Sequence, residues 1–128
     1  MADKPQSNYN EVLAGIGDIE AITVFGNEIL IATYIRPNVS KGGIILTDKT
    51  VSEDQWQGKV GVVVKQGPLA FVNNDRLGVD FMGQSVNDGD LIVYRVSDGF
   101  PLDINGIHCR LMQDTEIRMT VTDPGIIY

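Results

Sequence analysis

Asn105-Gly106-Ile107-His108-Cys109-Arg110-Leu111-Met112 is the stretch that decides the fold class of this chain. Both central positions of a two-residue type I′ turn need positive φ, which asparagine and glycine tolerate. Asn105-Gly106 therefore predicts a hairpin, with Ile107 to Met112 as its returning antiparallel strand. In that strand Ile107, Cys109 and Leu111 share a dry side, and His108, Arg110 and Met112 take the other. Outward from the hairpin the same chemistry repeats. Glu28 to Ile35 reads as a strand closed by Arg36-Pro37, because proline brings no ladder donor. Lys59 to Lys65 is closed by Gly67-Pro68, and Asp90 to Val96 is opened by Asp88-Gly89. Near the end, Ile117, Met119 and Val121 alternate with Glu116, Arg118, Thr120 and Thr122, which predicts one dry and one wet face. Short strands divided by turns give an all-β barrel or sandwich. The one helical expectation is Asn10 to Ile22, with Leu13, Ile16 and Ile19 along one side and Gly15 and Gly17 weakening it.

A chain of 128 residues with 43% hydrophobic content suits one compact domain. The N-terminus, Met1 to Ser7, has no basic start followed by an apolar run, and no stretch approaches the ~20 apolar residues of a membrane span. The expected location is the cytosol, with no membrane partner. Cys109 is the single cysteine, so no internal disulfide forms. The net charge of −7 and the scattering of ten basic residues argue against nucleic acid, whose phosphates are gripped by clustered Lys and Arg.

Gly42-Gly43-Ile44-Ile45-Leu46 places an aliphatic triplet inside loop chemistry, with Asn38, Ser40 and Lys41 before it and Asp48, Lys49, Ser52, Glu53 and Asp54 after it. The pattern leaves two readings open: a strand of the domain's own core, or a hook for a partner. Burial of each aliphatic side chain is worth roughly 1.5–3 kcal/mol, and the two glycines widen the shapes the backbone can take. Trp56, where this stretch rejoins Gln57-Gly58, is expected to pin its base, and Tyr34, Tyr94 and Phe100 are expected to pack.

Catalytic and cofactor chemistry finds no constellation. His108 and Cys109 are neighbours on a strand and point to opposite faces, so they form no dyad. One histidine and one cysteine do not make a zinc site. Asp88, Asp90 and Asp98 flank turns without Ca²⁺-loop spacing. Gly15-Ile16-Gly17 lacks both the third glycine of a dinucleotide fingerprint and the Gly-Lys-Ser/Thr ending of a P-loop. The expectation is a protein that is not an enzyme, with no cofactor and no metal.

In order and spacing these features resemble the GroES-like co-chaperonins over roughly residues 22 to 122. The resemblance runs from Gly26-Asn27-Glu28-Ile29-Leu30-Ile31 through Gly42-Gly43-Ile44-Ile45-Leu46-Thr47 to Gly58-Lys59-Val60 and Gly89-Asp90-Leu91-Ile92-Val93. It continues in Ile104-Asn105-Gly106, Cys109-Arg110-Leu111-Met112 and Asp114-Thr115-Glu116-Ile117. It implies an irregular β-barrel over residues 23–122, with an N-terminal arm at 1–22 and a tail at 123–128. It also implies an extended mobile loop at about 37–57 and a roof hairpin at about 68–86, tipped by Asn73-Asn74-Asp75. Such subunits form a homo-oligomeric ring, usually of seven, that caps a GroEL-like chaperonin and assists ATP-dependent folding. By that resemblance Gly42, Gly43, Ile44, Ile45 and Leu46 are the chaperonin-binding residues, docking on the apical domains. The arm, the tail and the long Tyr94 to Leu102 segment depart from simple members, and arm and tail are candidates to wrap neighbouring subunits. That elaboration resembles bacteriophage-encoded relatives acting in the host cytoplasm, with capsid protein as the client. The alternative is a virion structural or capsid-decoration protein built on the same barrel.

Overall fold

The computed structural model describes residues 6–35 and 59–124. Its framework is an antiparallel six-stranded sheet made of β1 (Glu28–Thr33), β2 (Val60–Gln66), β3 (Leu91–Val93), β4 (Phe100–Ile104), β5 (Ile107–Gln113) and β6 (Met119–Val121). The strands lie in the order β4-β5-β1-β2-β3-β6. One helix, α1 (Tyr9–Ile16), precedes them. The all-β expectation holds. The hairpin forms where Asn105-Gly106 predicts it, with φ of 50° and 82° at the two positions and Ile104 facing Ile107 across the turn.

β1 and β2 lie at the centre because both are apolar on consecutive residues, Ile29-Leu30-Ile31-Ala32 and Val62-Val63-Val64, and a strand written that way must be covered on both faces. One face of the sheet carries Leu30, Ala32, Val64, Ile107 and Cys109, closed by Val12 and Ile16 of α1 and by Val24. The opposite face carries Ile29, Ile31, Val63, Ile92, Tyr94 and Met112, closed by Val86 with Ala70, Phe71 and Ile117. The β5 alternation is therefore right in phase, but its second side is not wet: Met112 and Arg110 are both buried.

A bulge links the two cores to the arm. The register of β1 on β2 slips between Leu30, which faces Lys65, and Ile31, which faces Val63. The extra residue, Val64, joins the helix-side core while Lys65, the next residue, also reaches that side. Its Nζ donates to the carbonyls of Ile19 (3.1 Å) and Ile22 (2.5 Å), fixing the short 3-10 turn Ile19–Ala21.

The helix is shorter than the sequence predicts. Asn8 caps it, its Oδ1 accepting from Glu11 N at 2.9 Å, and Gly17 ends it at φ 88°. Its buried stripe is Val12 and Ile16, with Leu13 and Ile19 packed at the margin. Through Val12 and Ile16, with Leu13, Ile19 and Ile22 beside them, the arm packs on its own sheet.

The last strand is also shorter. Asp114–Glu116 is a 3-10 turn in which Glu116 Oε1 accepts from Gln113 N at 2.8 Å, and only Met119–Val121 pairs, with β3. Because β6 is the sheet's edge, Met119 stays 48% exposed although it occupies the expected dry side. Phe100, expected to pack, lies on the other edge strand and is 55% exposed, whereas Tyr94 is buried and Tyr34 half-buried.

Gly67, just past β2, is required by contact rather than by dihedral. A Cβ placed there would sit 2.3 Å from Gly26 O and 2.9 Å from Phe25 O, both main-chain atoms. Gly67 N also donates to Glu28 O, and Leu69 N to Gly26 O, each at 2.9 Å. Gly67→Ala is expected to push the 25–28 turn away and weaken both bonds. Overpacking costs about 1–3 kcal/mol and each lost hydrogen bond about 1 kcal/mol. Chemical denaturation should show a loss of roughly 3–5 kcal/mol on these magnitudes; an unchanged midpoint would mean that the turn yields freely.

Candidate functional site

The predicted binding residues Gly42, Gly43, Ile44, Ile45 and Leu46, and the pin Trp56, lie outside the described residues, which flank residues 36–58 on both sides. That flank is a stem. β1 leads into residue 36 and β2 leads out of residue 58 as antiparallel neighbours, with Thr33 facing Gly61 and Tyr34 N donating to Val60 O at 2.9 Å. The outer side of each stem strand is also held. Tyr94 N donates to Lys59 O at 2.9 Å, and Ile35 N donates to the main-chain oxygen of Gln6 at 3.0 Å. The two chain ends are thus held side by side in adjacent ladders.

Gln6 is the residue that sequence reading missed. It is 1% exposed. Its Nε2 donates to Thr33 O (2.8 Å) and His108 O (3.0 Å), and its Oε1 accepts from His108 N (2.7 Å). A polar residue in a polar N-terminal stretch carries no sign of burial; only the finished fold brings it to β1 and β5.

The segment between β2 and β3 folds into a turn of its own. Asn74 and Val79 form an isolated antiparallel bridge closed by the 3-10 turn Asp75–Leu77 and by Gly78 at φ 67°. The reversal thus falls at Asp75–Gly78, just beyond the Asn73-Asn74-Asp75 expected from sequence. Phe71 and Phe81 meet edge to face at 5.3 Å, and Asp114 Oδ2 accepts from Phe71 N at 3.0 Å, while Asp114 Oδ1 accepts from Asn27 Nδ2 at 3.1 Å. Leu69, Leu77 and Met82 remain exposed.

The histidine and the cysteine are both held in the fold. His108 Nδ1 lies 2.9 Å from Asp103 Oδ1, across the β4–β5 hairpin. Cys109 faces the opposite core, where burial first, and the Asp103 charge second, push its thiol up to about 12. Such a thiol is neutral at pH 7 and a poor nucleophile. Asp88 Oδ1 accepts from Gln66 Nε2, and Asp90 Oδ2 from Asn87 N, so both serve turns. Among the described residues no group of three or more His, Cys, Asp or Glu is placed to hold a metal ion. A groove of about 730 Å³ between residues 78–86 and 114–120 is lined by no histidine, cysteine or lysine.

Residues 21–121 match the family described as the chaperonin 10 Kd subunit. The chain belongs to that family. The match spans all six strands and residues 36–58, and it starts after α1, at the last residue of the 3-10 turn. A search of curated proteins found no match. Membership of the chaperonin 10 Kd subunit family places the chain among the co-chaperonins, which partner a chaperonin as oligomeric rings and are not enzymes in general. Among the described residues no helix is long and apolar enough to cross a membrane.

Proposed function

We propose that the chain is the subunit of a sevenfold co-chaperonin ring that caps a chaperonin and docks through residues 37–57, with Ile44, Ile45 and Leu46 entering an apolar groove of each apical domain. The observation that carries this reading is the family match across residues 36–58, joined to the stem that holds both ends of that segment on adjacent strands. Gly42 and Gly43 supply the backbone freedom that docking needs. A segment that becomes ordered on binding gives up part of its interaction energy, so each single contact is modest and reversible. Several on one ring recover the affinity through high effective concentration. Residues 68–86 then serve as the roof over the ring's opening, with Asp75–Gly78 at its tip. The additions at residues 1–20 and 94–102 support a bacteriophage-encoded member working in the host cytoplasm on capsid protein.

Pull-down on immobilised chaperonin tests the reading. Capture is expected in ATP or ADP and not without nucleotide. Failure of capture in every nucleotide state would sink it, and recovery of the protein in washed virus particles at capsid-like copy number would favour the virion role.

A further inference from the structure

The β1–β5 ladder ends at Ala32 facing Cys109, although the next pair, Thr33 and His108, would continue it. The Gln6 amide stands in that place. It supplies two donor contacts and one acceptor contact of the kind a neighbouring peptide group would make: Nε2 to Thr33 O at 2.8 Å, Nε2 to His108 O at 3.0 Å, and Oε1 from His108 N at 2.7 Å. Its own carbonyl accepts from Ile35 N at 3.0 Å, at the last described residue before residue 36. On the other flank Tyr34 N reaches Val60 O at 2.9 Å. The final two residues of the stem are thus gripped from both sides, by β2 and by the N-terminal arm. The arm is anchored independently of Gln6: Val12 and Ile16 are buried, Asn105 Nδ2 donates to Ile16 O at 2.6 Å, and Lys65 holds Ile19 and Ile22.

We propose that Gln6 is a positioning residue for the partner-binding segment, a clamp added by this chain ahead of the family barrel that fixes the direction and stiffness of the stem from which residues 36–58 leave. The inference rests on the co-chaperonin reading above. Gln6 touches no partner; it acts through Thr33, Ile35 and His108. A root held in one direction lowers the ordering cost of docking and keeps each segment at high effective concentration for the next site. No other side chain of this size offers the same pattern. Glutamate has no donor for the two carbonyls, leucine has neither donor nor acceptor, and asparagine is one methylene shorter.

The test compares three full-length proteins at a temperature where all are folded: wild type, Gln6→Ala, and Val12→Ala as a control that loosens the arm's core away from the stem. Amide exchange reads the clamp, and the dissociation constant for chaperonin in ADP reads positioning. Gln6→Ala is expected to speed exchange at Ile35 and His108 at least ~10-fold relative to Val63 in the central ladder, and to weaken capture at least ~10-fold because the per-segment loss multiplies over the ring. Val12→Ala is expected to leave the capture constant near wild type. Equal capture by Gln6→Ala and wild type overturns the inference, as does an equal loss in Val12→Ala, which would make the effect one of general stability. No capture of wild type overturns the co-chaperonin reading and this inference with it. Gln6→Asn supplies the same comparison where Gln6→Ala does not assemble.

Discussion

Ile45→Ser is expected to abolish capture by a chaperonin while leaving the melting transition and ring assembly as they are in the parent protein. An isoleucine side chain entering an apolar groove contributes about 2 kcal/mol, roughly 30-fold in affinity at a single site. The serine hydroxyl adds the cost of burying a polar group without a partner, about 1–3 kcal/mol. If only two segments of a ring engage at once, the two losses multiply to about 10³-fold or more, enough to empty a pull-down at micromolar chaperonin. Stability is a separate matter, because the described residues already close a core on each face of the sheet. Thermal melting and size-exclusion chromatography of the same sample check this half. Joint loss of folding and capture would place Ile45 in the domain's own core and remove the hook.

Sequence reading recovered what local chemistry determines. Asn105-Gly106 is legible because few residue pairs accept positive φ twice, and the structure has that turn. Apolar runs such as Ile29-Leu30-Ile31-Ala32 mark central strands wherever they occur. What escaped is decided by tertiary neighbours. The side of β5 that carries His108, Arg110 and Met112 is dry at Met112 because the opposite face of the sheet has a core of its own, and nothing in β5 announces that second layer. Met119 alternates correctly yet is exposed, since edge or centre is a property of strand order and not of the strand. The bulge at Val64 has no glycine to mark it. Gln6 is the extreme case: its surroundings are residues 27 and 102 positions away along the chain. The proposed binding triplet stands out in the sequence for the converse reason, as an aliphatic run set among polar residues.

Removal of residues 1–20 is expected to leave a chain that does not fold cooperatively, even though residues 21–121 hold the whole family match. The deletion removes Val12 and Ile16, both essentially inaccessible, and uncovers Leu30, Ala32, Val64, Ile107 and Cys109 beneath them. Two buried aliphatic side chains contribute about 3–6 kcal/mol. The three Gln6 side-chain contacts and the bonds of Asn105 to Ile16 and of Lys65 to Ile19 add about 0.5–1.5 kcal/mol each. Their sum, on the order of 5–14 kcal/mol, is as large as the whole stability of an ordinary domain, about 5–15 kcal/mol. The expected signature is a broad or absent thermal transition by circular dichroism, with dye binding to the uncovered apolar face. A domain of this size loses roughly 3–6 °C of melting temperature for each kcal/mol. A truncated protein melting within about 5 °C of the full chain would therefore limit the arm to less than about 2 kcal/mol, and would mean that the helix rests on the sheet without holding it. Such an outcome would also weaken the clamp at Gln6, since a strap that contributes so little could not fix the stem it crosses.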